Sequence, residues 1–229
     1  MSAAPQLDTQ GLEYDGKIRV TYNDMHILIQ KTAPRIKAEF NPDLMVAIGG
    51  GGFVPARMLR SFLKQGDGEK RRNIPIQAIG LSLYEEVGAF DGTPGLAQEE
   101  KLGKEVVRTQ WLDLSTLGSK PLIGRRILIV DEVDDSRTTL SYAVAELQKD
   151  IDEHLAALTP EQRAATPPTE LAIFVVHNKD QPKACSIPSH VRYFAGEDTK
   201  PKSWICYPWE QEDILLHDAI ALKQKELGL

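Results

Sequence analysis

Cysteine is scarce in this chain. Only Cys185 and Cys206 occur, and their spacing makes neither a metal-binding pair nor a redox pair. So few thiols fit a protein kept in a reducing compartment. No apolar run is long enough to cross a bilayer, and the first residues lack the basic-then-apolar order of a signal peptide. The expectation is a cytoplasmic protein with no membrane partner. Excess positive charge is missing too: 27 Lys and Arg stand against 33 Asp and Glu, a net charge of −6. General nucleic-acid binders carry a basic surface, and the chain has neither a basic block nor a helix-turn-helix extension. Nucleic acid is therefore not an expected partner, although a local basic pocket for a polyanion stays open. No internal repeat and no separate second domain can be read.

What is present suits one α/β domain with an appendage: 229 residues, 41% apolar and 26% charged. Residues 1–16 are small and polar and read as a flexible arm, leaving 17–229 as a single domain. A short strand is expected at 17–22. A helix follows from an Asn23 or Asp24 cap to about Phe40, with Pro34 as a candidate kink. Strands are expected at 44–48, 74–83, 106–112, 127–130 and 171–176, those at 44–48 and 127–130 buried. Helical patterns cover 53–63 and 140–158, and a proline-rich connector covers 159–169. This alternation predicts an α/β fold with a central, mostly parallel sheet flanked by helices.

The chain is organised around residues 127–140. Four branched apolar residues, Ile127 to Val130, are followed by the carboxylates Asp131, Glu132, Asp134 and Asp135 and by the hydroxyls Ser136, Thr138 and Thr139. Hydroxyls and free amides at a helix start hold phosphate, and the helix dipole favours it. Carboxylates just before them hold Mg²⁺ or sugar hydroxyls. The pairing suits a phosphorylated sugar, with a solvated acidic turn as the plain alternative. Gly49 to Gly52 form a second strand-to-helix turn whose amides can approach an anion without Cβ interference. It is not a Walker loop, because no Lys-Ser/Thr follows, and its spacing is not that of a dinucleotide fingerprint.

Residues 85–103 are acidic and glycine-rich and lie between two strands, the usual form of a lid. After the strand at 171–176 comes Lys179, placed to donate to an exocyclic oxygen. Later comes Trp204-Ile205-Cys206-Tyr207-Pro208-Trp209-Glu210, whose aromatic planes suit stacking on a planar base. Trp209 reads as packing, His177 as a structural histidine, and Arg192 and Tyr193 have no assigned role.

Residues 127–139 resemble the phosphoribosyl-pyrophosphate (PRPP) motif of the type I phosphoribosyltransferases: an apolar strand, two acids, two apolar residues and Asp-Thr-Gly-x-Thr. The resemblance runs from about Val20 to Glu210 and is closest to the fungal branch of hypoxanthine-guanine and xanthine phosphoribosyltransferases. That branch shares the four-glycine turn, Ser-Leu-Tyr-Glu, Arg-Thr-Gln-Trp and Val-Asp-Glu-Val-Asp-Asp with Arg-Thr-Thr. It implies transfer of phosphoribosyl from PRPP to N9 of xanthine, guanine or hypoxanthine, with Mg²⁺, in an enzyme commonly dimeric or tetrameric. The dimer is the expectation for this chain.

By the same resemblance, Asp135, Ser136, Arg137, Thr138 and Thr139 hold the 5′-phosphate, with Asp135 also the general base. Asp131 and Glu132 take the ribose and metal. Gly50 and Gly51 take the pyrophosphate, often beside a non-proline cis peptide. Ser82 and Tyr84 open a lid of about 84–105, although Leu83 separates them. Lys179, Trp204 and Ile205 take the purine within a hood of about 177–215, and Glu210 takes a second metal. Two positions depart from the wider pattern: Asp134 replaces an apolar residue and Arg137 replaces glycine. If that position needs positive φ, arginine costs roughly 1–2 kcal/mol. The alternative reading is a PRPP- or purine-sensing regulator on the same fold.

Overall fold

A computed structural model describes residues 15–66, 72–84, 105–112 and 122–228. Its elements are β1 (Lys17–Arg19), α1 (Tyr22–Glu39), β2 (Leu44–Gly49), α2 (Phe53–Phe62), β3 (Ile76–Tyr84), β4 (Glu105–Gln110), β5 (Arg126–Asp134), α3 (Thr138–Ala156), α4 (Pro160–Ala164), β6 (Glu170–Lys179), β7 (Arg192–Thr199), β8 (Trp204–Cys206) and α5 (Ile214–Glu226). The main sheet has the order β4-β3-β2-β5-β6-β7. Every pair in it is parallel except β3 with β4.

Alternation along the central strands builds two cores. Met45, Ala47, Leu128, Val130, Phe174 and Val176 face α1 and α2. Leu44, Val46, Ile48, Ile127, Ile129, Ile173 and Val175 face α3. Successive residues of a strand point to opposite sides, so an unbroken apolar run signals a sheet covered on both faces. From β2 the chain crosses to β3 on one side; from β5 it crosses to β6 on the other. The carboxyl ends of β2 and β5 therefore flank the point where strand order reverses, which is where open α/β sheets bind ligands.

Two expectations are refined. Helix α1 is capped by Thr21, with Asp24 as the third residue of a capping box rather than the cap, and it runs unbroken through Pro34. Thr21 wins because its hydroxyl takes the Asp24 amide while the Asp24 carboxylate returns to the Thr21 amide. The 159–169 connector contains α4, capped by Thr159 and Gln162.

A second sheet pairs β1 with β8, in parallel, from opposite ends of the described chain. Helix α5 straps it down. Gln224 accepts from the Arg19 amide at 3.0 Å and donates to the Lys17 carbonyl, and His217 meets the Val20 carbonyl at 3.0 Å. These side chains satisfy the edge of β1 where a third strand is missing. The cap thus positions Trp204 through residues nearly two hundred positions away.

Candidate active site

The carboxyl ends of β2 and β5 lie side by side, because Ala47 pairs with Val130. The glycine turn after β2 has a cis peptide bond between Gly49 and Gly50. Gly51 lies against the Glu132 side chain, so close that a Cβ there would occupy the space of the carboxyl group. Gly52 packs against the carbonyls of Val130 and Ile48, so the start of α2 touches the backbone of β5.

A cavity of about 230 Å³ opens at the tip of β5, lined by Asp131 to Arg137, Thr139 and Leu140. Asp131 is 8% exposed. Burial, then the charge of Glu132 beside it, pushes its carboxyl well above the usual carboxylate range. Its Oδ1 accepts from the Glu132 amide at 3.0 Å. The buried Oε2 of Glu132 has no hydrogen-bond partner among the described residues. Two adjacent acids, one with an orphaned oxygen, form an anionic spot that suits a hard cation or sugar hydroxyls.

The turn from Asp135 to Thr139 is open. The amides of Ser136, Arg137 and Thr139 have no acceptor among the described residues. The Thr138 amide turns to Ser136 Oγ at 3.4 Å, and that Oγ donates to Thr138 Oγ1 at 3.0 Å. Arg137 has φ of 70°, the left-handed conformation that the departure from glycine put in question. Free amides at the start of α3 beside hydroxyls make a phosphate cradle.

Asp135 is half exposed and held on both sides. Lys179 at the end of β6 donates to Oδ2 at 2.6 Å, and Gln181 donates to Oδ1. In register, Asp134 faces Asn178, which puts the end of β6 beside the cradle. A basic lysine against an exposed carboxylate is a pair that a planar amide-like ligand can enter, taking a donor from one side and an acceptor from the other.

Sequence comparison decides the family. Hypoxanthine-guanine phosphoribosyltransferase of Schizosaccharomyces pombe is 49% identical over 214 residues, covering 92% of this chain and 97% of the relative. The chain belongs to the hypoxanthine-guanine and xanthine phosphoribosyltransferases. Xanthine phosphoribosyltransferase 1 of Saccharomyces cerevisiae is 46% identical over 215 residues, with 91% of this chain and 96% of the relative covered. No family model matches. Among solved structures, a hypothetical protein from Neisseria gonorrhoeae with bound ppGpp has a TM-score of 0.66 and 35% identity, covering 90% of this chain and 96% of that one. The relatives carry transferase names, and nothing favours the regulatory alternative.

In this phosphoribosyltransferase the structure brings Gly50, Gly51, Asp131, Glu132, Asp135 to Thr139 and Lys179 to neighbouring strand ends. Trp204 is 40% exposed, with the Lys17 ammonium 5.8 Å from its ring centroid. Ile205 turns its side chain into the core at 8% exposure and stands opposite Ile18 in the small sheet. Glu210 is outside the cavity lining and accepts from the Tyr207 amide at 3.3 Å as a cap of the turn Pro208–Glu210. Among the described residues no cluster of three or more His, Cys, Asp or Glu suits a metal. The side chains of Ser82 and Tyr84, and residues 85–104 of the expected lid, lie outside the described residues.

Trp209 stacks on Tyr207 at 4.9 Å and is packing. His177 is a buried structural histidine, bonded to the Tyr207 hydroxyl at 3.0 Å. Sequence reasoning missed Gln181, Lys183 and Tyr193. No local pattern marks them, because each reaches the site from the end of β6 or from β7.

Proposed function

We propose that the protein transfers the 5-phosphoribosyl group of PRPP to N9 of a 6-oxopurine, yielding a nucleoside monophosphate and pyrophosphate. The observation that carries this is the open amide cradle at 136–139 beside the acids Asp131 and Glu132, the latter with an unpartnered oxygen, at the reversal point of the sheet. The cradle amides, with the Ser136 and Thr139 hydroxyls, bind the 5′-phosphate, whose distance from the reacting carbon makes it an anchor for orientation. Asp131 and Glu132 fix the ribose hydroxyls and hold Mg²⁺. The orphaned Glu132 oxygen fits a hard cation, and two acids leave its remaining positions for substrate and water. Bound there, Mg²⁺ supplies positive charge against the departing pyrophosphate. The Gly50 and Gly51 amides act on the same charge.

The base lies on Trp204, with its 6-oxygen on Lys179 and its N7 proton on Asp135, which acts as general base. The Lys179–Asp135 contact at 2.6 Å aims both groups before the base enters. We place the reaction in the cytoplasm, carried out by a homodimer; both described cysteines are free thiols, as a reducing compartment requires. A competition assay with xanthine, guanine, hypoxanthine and adenine at fixed PRPP, reading pyrophosphate release, tests the proposal. The expected result is release with 6-oxopurines and none with adenine, and xanthine is the base we expect to lead. No release with any base refutes it.

A further inference from the structure

Asp134 and Arg137 break the wider motif together, and the structure shows them as one unit. Asp134 has a side chain with no solvent exposure. Its Oδ2 accepts from Arg137 Nε at 2.9 Å and from the Tyr193 hydroxyl at 2.8 Å, with the other Arg137 nitrogen also 2.8 Å away. The Arg137 guanidinium lies 5.0 Å from the centroid of the Tyr193 ring. Burial, then the bond to Asp134, keeps the Tyr193 hydroxyl protonated and donating. A left-handed backbone at a residue with a Cβ persists only where surrounding contacts over-determine it. Here two Arg137 nitrogens and the Tyr193 hydroxyl converge on one oxygen of a fully buried carboxylate and do so.

A second set of bonds acts from the loop after β6. Lys183 Nζ donates to the carbonyls of Asp134 at 2.7 Å, Asp135 at 3.0 Å and Lys179 at 2.8 Å. The Ala184 amide donates to the Ser136 carbonyl at 3.0 Å. Across a trans peptide the C=O and the following N–H point in opposite directions. Pulling the carbonyls of Asp135 and Ser136 toward Lys183 and Ala184 therefore turns the amides of Ser136 and Arg137 away from that loop. Those amides have no acceptor among the described residues.

We infer that Asp134, Tyr193 and Lys183 are positioning residues that aim the amides of the phosphate cradle, doing with side chains what a glycine at position 137 would do with backbone freedom. The inference rests on the proposed reading of the cradle as the 5′-phosphate site. It also ties that site to β7 and to the Lys179 loop.

The test uses the full-length variants Tyr193→Phe, Lys183→Met, Asp134→Val, and Asp134→Val combined with Arg137→Gly. Steady-state kinetics in PRPP and in base are measured, together with ribose 5-phosphate binding by calorimetry and thermal stability. Asp134→Val should raise the KM for PRPP and the Kd for ribose 5-phosphate by about tenfold, the factor matching release of a left-handed residue. The KM for base should hold. Tyr193→Phe and Lys183→Met should shift the same two constants in the same direction by less. The double variant should recover most of the loss, because glycine needs no clamp. Variants that lose only thermal stability, with PRPP and ribose 5-phosphate constants unchanged, overturn the inference, as does a double variant no better than Asp134→Val. If Asp134→Val does not fold, Tyr193→Phe, which removes a single hydroxyl, decides alone. Wild-type protein that binds no ribose 5-phosphate refutes the reading of the cradle instead.

Discussion

Gly51→Ala and Gly52→Ala should fail in opposite ways, although the residues are neighbours. A methyl group on Gly51 would fall inside the carboxyl group of Glu132. That group is the end of a flexible side chain, so it can swing away and the backbone can stay. The cost in stability is small, and the lost freedom of the unfolded chain offsets it by about 0.4–1 kcal/mol. The displaced carboxylate is the one proposed to hold the ribose and Mg²⁺, and a misplacement of about 1 Å costs on the order of 10²-fold in rate. At Gly52 the same methyl would meet the carbonyl oxygens of Val130 and Ile48, the latter at 2.7 Å. Backbone in two central strands has to move, at about 1–3 kcal/mol of overpacking. The assay is kcat/KM at saturating Mg²⁺ alongside urea unfolding. Gly51→Ala should keep its midpoint and lose about two orders of magnitude in kcat/KM, whereas Gly52→Ala should lose midpoint first. Gly51→Ala protein with wild-type kcat/KM refutes the assignment of Glu132.

Asp135→Asn should fold normally, since the side chain is half exposed, and lose about 10²–10⁴-fold in kcat; wild-type turnover removes Asp135 from the mechanism. Trp204→Ala should raise the KM for base about tenfold or more from lost stacking, with the KM for PRPP unchanged; equal rises in both would place Trp204 in the structure only. His177 is buried and neutral, and burial pulls its pKa from 6.5 to about 4. As pH falls through 6.5 the unfolded chain takes the proton and the native state does not. Stability is therefore full above 6.5 and declines toward pH 4, by roughly 3 kcal/mol in total. Urea unfolding of His177→Gln should lack that slope, and an identical slope in both proteins removes His177 as its source.

Local order was readable wherever a physical pattern is local. The apolar runs at 44–48, 127–130 and 171–176 predicted strands, and β2, β5 and β6 are those strands, buried along these runs. The amides and hydroxyls proposed as the phosphate cradle were readable as a group because they come from consecutive residues at one helix start. The thin second sheet was not readable. Strands β1 and β8 have three residues each and come from opposite ends of the described chain. So short a strand carries no periodicity, and its partner is set by where α5 packs.

The residue types at the chemistry were settled by the chain alone: two acids, then hydroxyls, then a helix, because main-chain geometry at a strand end follows from neighbours in sequence. Tertiary structure alone decided how Arg137 can stand where glycine is usual. Its support comes from Asp134 three residues back and from Tyr193 on another strand, 2.8 Å from the same carboxylate oxygen. Lys183 and Gln181 reached their places because β5 and β6 pair in a fixed register, and pairing between strands is a long-range contact that no local pattern encodes.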